Sequence, residues 1–232
     1  MRRSRPYVQL DPAVIEQARQ MDLLSYLRAY EPKVLLLPPK HRDCNRVMQC
    51  LFGRGIDYQL IQECIADGTI YESADYHNAV FVGKDKSGTP KYAALRSTLG
   101  SPFKQDASGS DKRYSFRLLA KEPINTVHLF EAAIDLLSYA TYLKCEGKDY
   151  RTQNLLSLSG VYQPKKELKT VVLHLDNDKT GRLCTAALTE LLKKDYEIVD
   201  SPPPVGKDVN DFLMSYLGLS RQKPVRERSD VR

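Results

Sequence analysis

The chain has 232 residues, a formal net charge of +6, 42% hydrophobic and 28% charged residues. That length allows one or two domains, and 14 Tyr and 6 Phe with many Leu supply a core, which excludes a wholly disordered chain. No run approaches the ~18 apolar residues of a membrane-spanning helix, so no membrane partner is expected.

The charge excess sits at the two ends. Arg2, Arg3 and Arg5, with a net +3 over residues 221–232, account for all of it, so the body between them is neutral. Such ends can hold phosphates or simply be solvated. The opening MRRSRPYVQLDP has no apolar leader stretch, and the five cysteines are scattered. Reduced thiols and a cytoplasmic location are therefore expected.

Residues 11–31 read as a helix, with Asp11 as cap, Pro12 in the first turn, and Val14, Ile15, Ala18, Met21, Leu24 and Leu27 at helical spacing. Residues 32–45 carry three prolines and read as a connector. Residues 46–67 read as two helical pieces broken at Gly53-Arg54-Gly55. NAVFVG (78–83), a polar turn ending in Gly88, and KYAALRST (91–98) form a hairpin pattern. Residues 100–113 read as a loop and 114–118 as a third strand.

From Ile124 strands and helices alternate. Strands are expected at 127–130, 154–159, 170–175 and 196–199. Helices are expected through about Lys144 and over 181–194, the latter with Leu183, Ala187, Leu188 and Leu191 on one face. That alternation predicts a parallel sheet covered by helices. The expected divisions are 1–45 (helix and connector), 46–120 (a small α+β domain), 121–218 (an α/β domain) and 219–232 (a basic disordered tail).

In an open parallel sheet ligands sit beyond the carboxyl ends of the strands. Glu131 directly follows one expected strand, and Asp176 and Asp178 directly follow another. Asp135 lies one helical turn beyond Glu131. Each has a structural role available as a helix cap or first-turn acid. Crowded together they call for a cation, and hard carboxylate oxygens suit Mg²⁺ or Mn²⁺. LHLDNDKTG also fits the opening of haloacid-dehalogenase phosphatases, but only Lys207-Asp208 is available downstream of it. An EF-hand would need Glu where Ala187 stands. EAAID lacks the glycines of a dinucleotide site. His128 and His174 read as satisfied core residues. His41 and Cys44 have ligand-like spacing but no Cys-x-x-Cys partner, so no zinc is expected.

FEAAID and LDNDKTGR, with the following GRLCTAAL helix and the closing GKDVNDFL, resemble the Toprim domain shared by bacterial DNA primases, topoisomerases and some nucleases. GRGIDYQLIQ, TIYES, NAVFVGKDKSG, ALRST and SGSDKRYSF resemble the small domain of unknown function that precedes Toprim in primase-like proteins of mobile elements. Ala132 stands where most Toprim domains have Gly. The resemblance implies a Rossmannoid α/β Toprim fold behind a small primase-like α+β domain. It implies Mg²⁺-dependent nucleotidyl or phosphoryl transfer on nucleic acid, with Glu131, Asp176 and Asp178 catalytic and Asp135 completing the metal set. It implies that Lys84, Arg96, Lys112 and Lys207 hold nucleotide or strand, and that DNA or RNA, nucleotides and a helicase or relaxase are partners. A non-catalytic or truncated binding protein and a Toprim nuclease are the alternatives.

Overall fold

The computed structural model describes residues 34–100, 102–158 and 168–219. The helix expected over 11–31 and nearly all of the basic tail lie outside the described residues. Two helices come first, α1 (Asn45–Phe52) and α2 (Tyr58–Ala66). They part at Gly53-Arg54-Gly55 as expected, and Asp57 caps α2 by accepting from the Leu60 amide at 2.8 Å.

A four-stranded antiparallel sheet follows in chain order: β1 (Ile70–Glu72), β2 (Ala79–Lys84), β3 (Pro90–Arg96) and β4 (Lys104–Asp106). The β2–β3 hairpin is the one read from the sequence. Asp85 shapes its turn by accepting from the amides of Ser87 and Thr89 at 2.9 and 3.0 Å. β1 and β4 were not anticipated. Each is three residues long, and KQD has no strand propensity of its own; pairing with β3 imposes the conformation.

β2 is buried on both faces. Ala79 and Phe81 join a core with Val47, Leu51, Leu60, Ile61 and Phe116. Val80 and Val82 pack with Tyr71, Ala93 and Ala107, and the connector residues Leu35 and Cys44 cover that side. Gly83 is where Tyr114 and Ser115 cross the strand: a Cβ there would lie 1.6 Å from the Tyr114 carbonyl oxygen.

The second sheet has the order β5-β7-β6-β8-β9, built from β5 (Arg117–Leu118), β6 (Thr126–Phe130), β7 (Leu155–Ser157), β8 (Thr170–His174) and β9 (Glu197–Asp200). All neighbours are parallel except β5 against β7. The third strand expected at 114–118 is thus only two residues long and belongs to this sheet, where it pairs with Leu155 and Leu156.

Helix α3 (Ala133–Cys145) follows β6, and α4 (Lys179–Leu192) follows β8. Leu136, Leu137 and Ala140 of α3 join the core that α1 and α2 line, which ties the two sheets together. The buried face of α4 is not its leucine-rich one. Leu183 and Leu191 are 63% and 65% exposed, and Gly181, Thr185 and Leu192 are buried instead, with Leu188 half-buried against the sheet. Contact of Gly181 with the Asp176 backbone sets that rotation. A last helix, α5 (Val209–Tyr216), had been read only as a closing motif; it packs on α3 through Tyr142 and Phe212, whose rings are 5.0 Å apart.

His174 is buried, bonded to His128 at 2.9 Å and to the Ser201 carbonyl at 2.8 Å, and burial pushes its pKa down to about 3. Half-buried His128 also meets Gln153 Oε1 at 3.1 Å. Both are satisfied, as read from the sequence.

Thiol reactivity follows from the packing. Burial pushes the buried Cys64 thiol up to about 12, whereas Cys145 and Cys184 are exposed. A short maleimide pulse on native protein is expected to modify Cys145 first and Cys184 next, since partial burial and the Glu131 charge hold the Cys184 thiol up. Cys64 reacts only after denaturation. Peptide mass mapping reads the order, and early label on Cys64 contradicts the packing of α2.

Candidate functional site

β6 and β8 lie side by side with Phe130 opposite His174, so their carboxyl ends coincide. Glu131 follows the first directly, and Asp176 follows the second by two residues. Asp178 is the N-cap of α4 and accepts from the Gly181 amide at 2.9 Å. At Gly181 a Cβ would meet the Asp176 carbonyl oxygen at 2.2 Å, so the helix start lies directly on the acidic turn.

Two further groups hold this turn. Behind it, Arg182 donates to the carbonyls of Leu175 and Asp176, each at 3.2 Å, and pairs with Asp200 at 2.9 Å. In front, the Asn177 amide donates to the Lys207 carbonyl at 2.7 Å, and its side chain donates to the Pro203 carbonyl at 2.8 Å. The 201–208 loop therefore closes over the strand end, bringing the Lys207 ammonium to 3.0 Å from Asp178 Oδ2 and 3.4 Å from Asp176 Oδ2. Asp208 caps α5 through the Asp211 amide at 2.7 Å. Asp135, on the first turn of α3, is 7% exposed and accepts from the Asn210 amide at 3.3 Å.

The electrostatics record the crowding. Burial, then the charges of Asp208 and Asp176, push Asp135 up to about 8. Burial and the two aspartates raise Glu131, and burial with Asp208 raises Asp176. Asp178 moves the other way, held down by the Gly181 amide and by Lys207. Lys207 is raised in return, first through its bond to Asp178. A set of carboxylates in which three members resist ionisation, with an ammonium lodged between two of them, has the chemistry of a hard-cation site. The oxygen-only donors Asp176 and Asp178 fit Mg²⁺ or Mn²⁺, with Lys207 standing in for part of that charge.

The acids are not drawn into a tight trio, however. Among the described residues, the one group of three metal-capable side chains with donor atoms all within 4.8 Å of one another is His41, Glu72 and His77, in the upstream domain.

Of the predicted basic residues, only Lys207 lies at the acids; Lys84 and Arg96 end β2 and β3, and Lys112 lies in the turn beyond β4. Lys84 turns back to α2, its Nζ 2.5 Å from the Asp67 carbonyl. Arg96, at the end of β3, donates to the Leu95 carbonyl at 2.8 Å. Lys112 pairs with Asp106 at 3.4 Å. Sequence reasoning missed Lys104 on exposed β4, which is close enough to Glu131 to lower its pKa and is set there by a strand without a sequence signature. It also missed Arg182, whose role depends on Asp200 of β9, and Asn177, whose role depends on the downstream 201–208 loop; only folding brings these near.

Residues 128–213 match the family model described as Toprim-like, and residues 51–122 match one described as a protein of unknown function (DUF3991). No curated protein sequence matches the chain. Among solved structures, the DnaG primase catalytic domain bound to single-stranded DNA is similar with a TM-score of 0.51 and 14% identity, covering 75% of this chain and 71% of that one. The primase fragment of the bacteriophage T7 primase-helicase protein is similar with a TM-score of 0.51 and 16% identity, covering 84% and 81%. At these identities the likeness is one of fold. The chain therefore holds a segment that matches the Toprim-like model behind one that matches DUF3991, in a fold similar to that of these primase domains.

Proposed function

We propose that this protein is a primase-like nucleotidyltransferase, acting on nucleic acid with Mg²⁺ or Mn²⁺ in the replication of a mobile element. The observation that carries the reading is the placing of Glu131 and of Asp176 and Asp178 beyond the adjacent ends of β6 and β8, with Asp135 on the first turn of α3 within reach of their charges and Lys207 paired to both aspartates. The proposed working parts are the small domain over 46–120 and the Toprim domain over 121–218.

Asp176 and Asp178 would hold the ion, with Glu131 and Asp135 completing the acidic set. A bound divalent ion supplies charge neutralisation at the phosphate oxygens. Burial, then the charges of Asp176 and Asp178, raise Glu131, which makes its carboxylate the better base for the attacking hydroxyl. Lys207 reaches from the closing loop toward phosphate. Lys104, Arg96, Lys112 and Lys84 present positive charge from the first sheet, so the strand would run between β4 and the acids. A helicase or relaxase is the proposed partner class.

Primer synthesis on single-stranded DNA with ribonucleotides, with and without Mn²⁺, tests this reading. Metal-dependent product supports it, and nicking without synthesis indicates a nuclease. Salt-sensitive binding without product indicates a non-catalytic binding module. For the strand path, the Arg96→Ala/Lys112→Ala double variant is expected to weaken single-strand binding. It should flatten the plot of log affinity against log salt by about 0.7 per lost phosphate contact. An unchanged slope places the strand elsewhere.

A further inference from the structure

The upstream domain holds a cluster unused by the proposed chemistry. Glu72 ends β1 and is 1% exposed. Its Oε2 accepts from the amides of Arg46 and Val47 at the start of α1, at 3.0 and 3.2 Å. Its Oε1 lies 2.5 Å from His77 Nδ1 and 3.7 Å from His41 Nδ1. The two imidazoles meet edge to face with centroids 4.7 Å apart, and one donor atom from each of the three side chains lies within 4.8 Å of the other two.

We propose that His41, Glu72 and His77 form a binding site for one zinc-class divalent ion. Donors on a common tetrahedral zinc, with bonds of ~2.0–2.1 Å, stand about 3.3 Å apart, so modest side-chain rotation brings this set into place. Two imidazoles and a carboxylate are a known three-ligand set for zinc, leaving a fourth position to water. The supporting bonds match such a site. Both amides at the head of α1 fix the carboxylate from behind, as the outer contacts of a metal ligand do. The His41 amide donates to the Glu72 carbonyl at 2.8 Å, which ties the connector to the strand.

The His77 loop is held against its preference. Tyr76 and His77 both take left-handed backbone conformations, with φ of 59° and 51°, which non-glycine residues adopt at a cost. The bond from Thr98 Oγ1 to the His77 carbonyl at 2.8 Å and that from the Asn78 amide to Ser73 Oγ at 3.0 Å keep it there. The result is an imidazole aimed at a buried carboxylate beside a second imidazole. Asp43 Oδ1, 3.5 Å from His41 Nδ1, adds negative charge at the rim. Cys44 takes no part, since it packs in the apolar cluster under the connector. The ion would staple the connector to β1 and the turn that follows it.

Full-length protein is stripped with chelator, then titrated with zinc sulfate alone against a chromophoric zinc indicator, and separately with cobalt(II). One zinc per chain and the visible bands of tetrahedral cobalt are expected. Binding should weaken at least ~10-fold in His41→Ala and in His77→Asn, whose asparagine tolerates the left-handed backbone. Melting curves of both variants verify that they fold. The Asp176→Asn/Asp178→Asn double variant should bind as the unmodified protein does. Absence of zinc binding, retention of full affinity in His41→Ala, or loss of binding in the double aspartate variant overturns the assignment.

Discussion

Asp176→Asn is expected to lower metal-dependent primer synthesis about 10³-fold, roughly 4 kcal/mol in the barrier, while raising the thermal midpoint of the protein without added metal at pH 8. Both effects come from the same charge. The carboxyl of Asp176 titrates above its ordinary range because it is buried and faces Asp208. A carboxyl raised in the folded state favours folding while it stays protonated and loses that contribution as pH rises through its folded value. The unmodified protein therefore loses stability over that interval, and the amide variant does not. The gap in midpoint opens with rising pH and closes below the ordinary aspartate range. Lys207 loses one partner in the variant but keeps Asp178 at 3.0 Å. Thermal melts between pH 4 and 8, run beside the primer assay, read both quantities. Activity within about 3-fold of the unmodified protein removes Asp176 from the chemistry. A lower midpoint at pH 8 shows that the pair with Lys207 outweighs the repulsion.

The second large effect is structural. Gly83→Ala is expected to cost about 3 kcal/mol or more, a large part of the 5–15 kcal/mol that holds a typical domain folded. The added carbon would sit 1.6 Å from the Tyr114 oxygen, 2.6 Å from its carbonyl carbon and 2.8 Å from the Ser115 oxygen. These are backbone atoms, so no rotamer change relieves the overlap. Relief means moving the segment that carries Phe116 out of contact with Phe81, a ring pair 5.6 Å apart in the core. Gly88→Ala is the control. Its φ of +82° strains a side chain, yet nothing lies within 4 Å, so its cost stays near 1 kcal/mol. Urea melts of the two variants separate steric overlap from backbone strain, and equal midpoints refute the close crossing.

Much was legible before folding. The hairpin, the broken helix pair and the alternating strands and helices each write a local period into the chain, and a local period survives without knowledge of neighbours. The acids after β6 and β8 were readable for the same reason, since a carboxylate just beyond an apolar strand identifies its own position. What tertiary structure alone decided lacks such a period. β1 and β4 are strands because β2 and β3 offer them partners. The inner face of α4 is set by a glycine lying on the Asp176 backbone, against the leucine pattern that the sequence displays. Lys104 near Glu131, Lys207 between two aspartates, and the meeting of His41 with Glu72 and His77 join residues tens of positions apart. The sequence thus determined the strands and helices that carry a period of their own, and which acids end them. Register, helix rotation and the pairing of distant charges depend on contacts between elements, and only the folded chain brings those contacts into being.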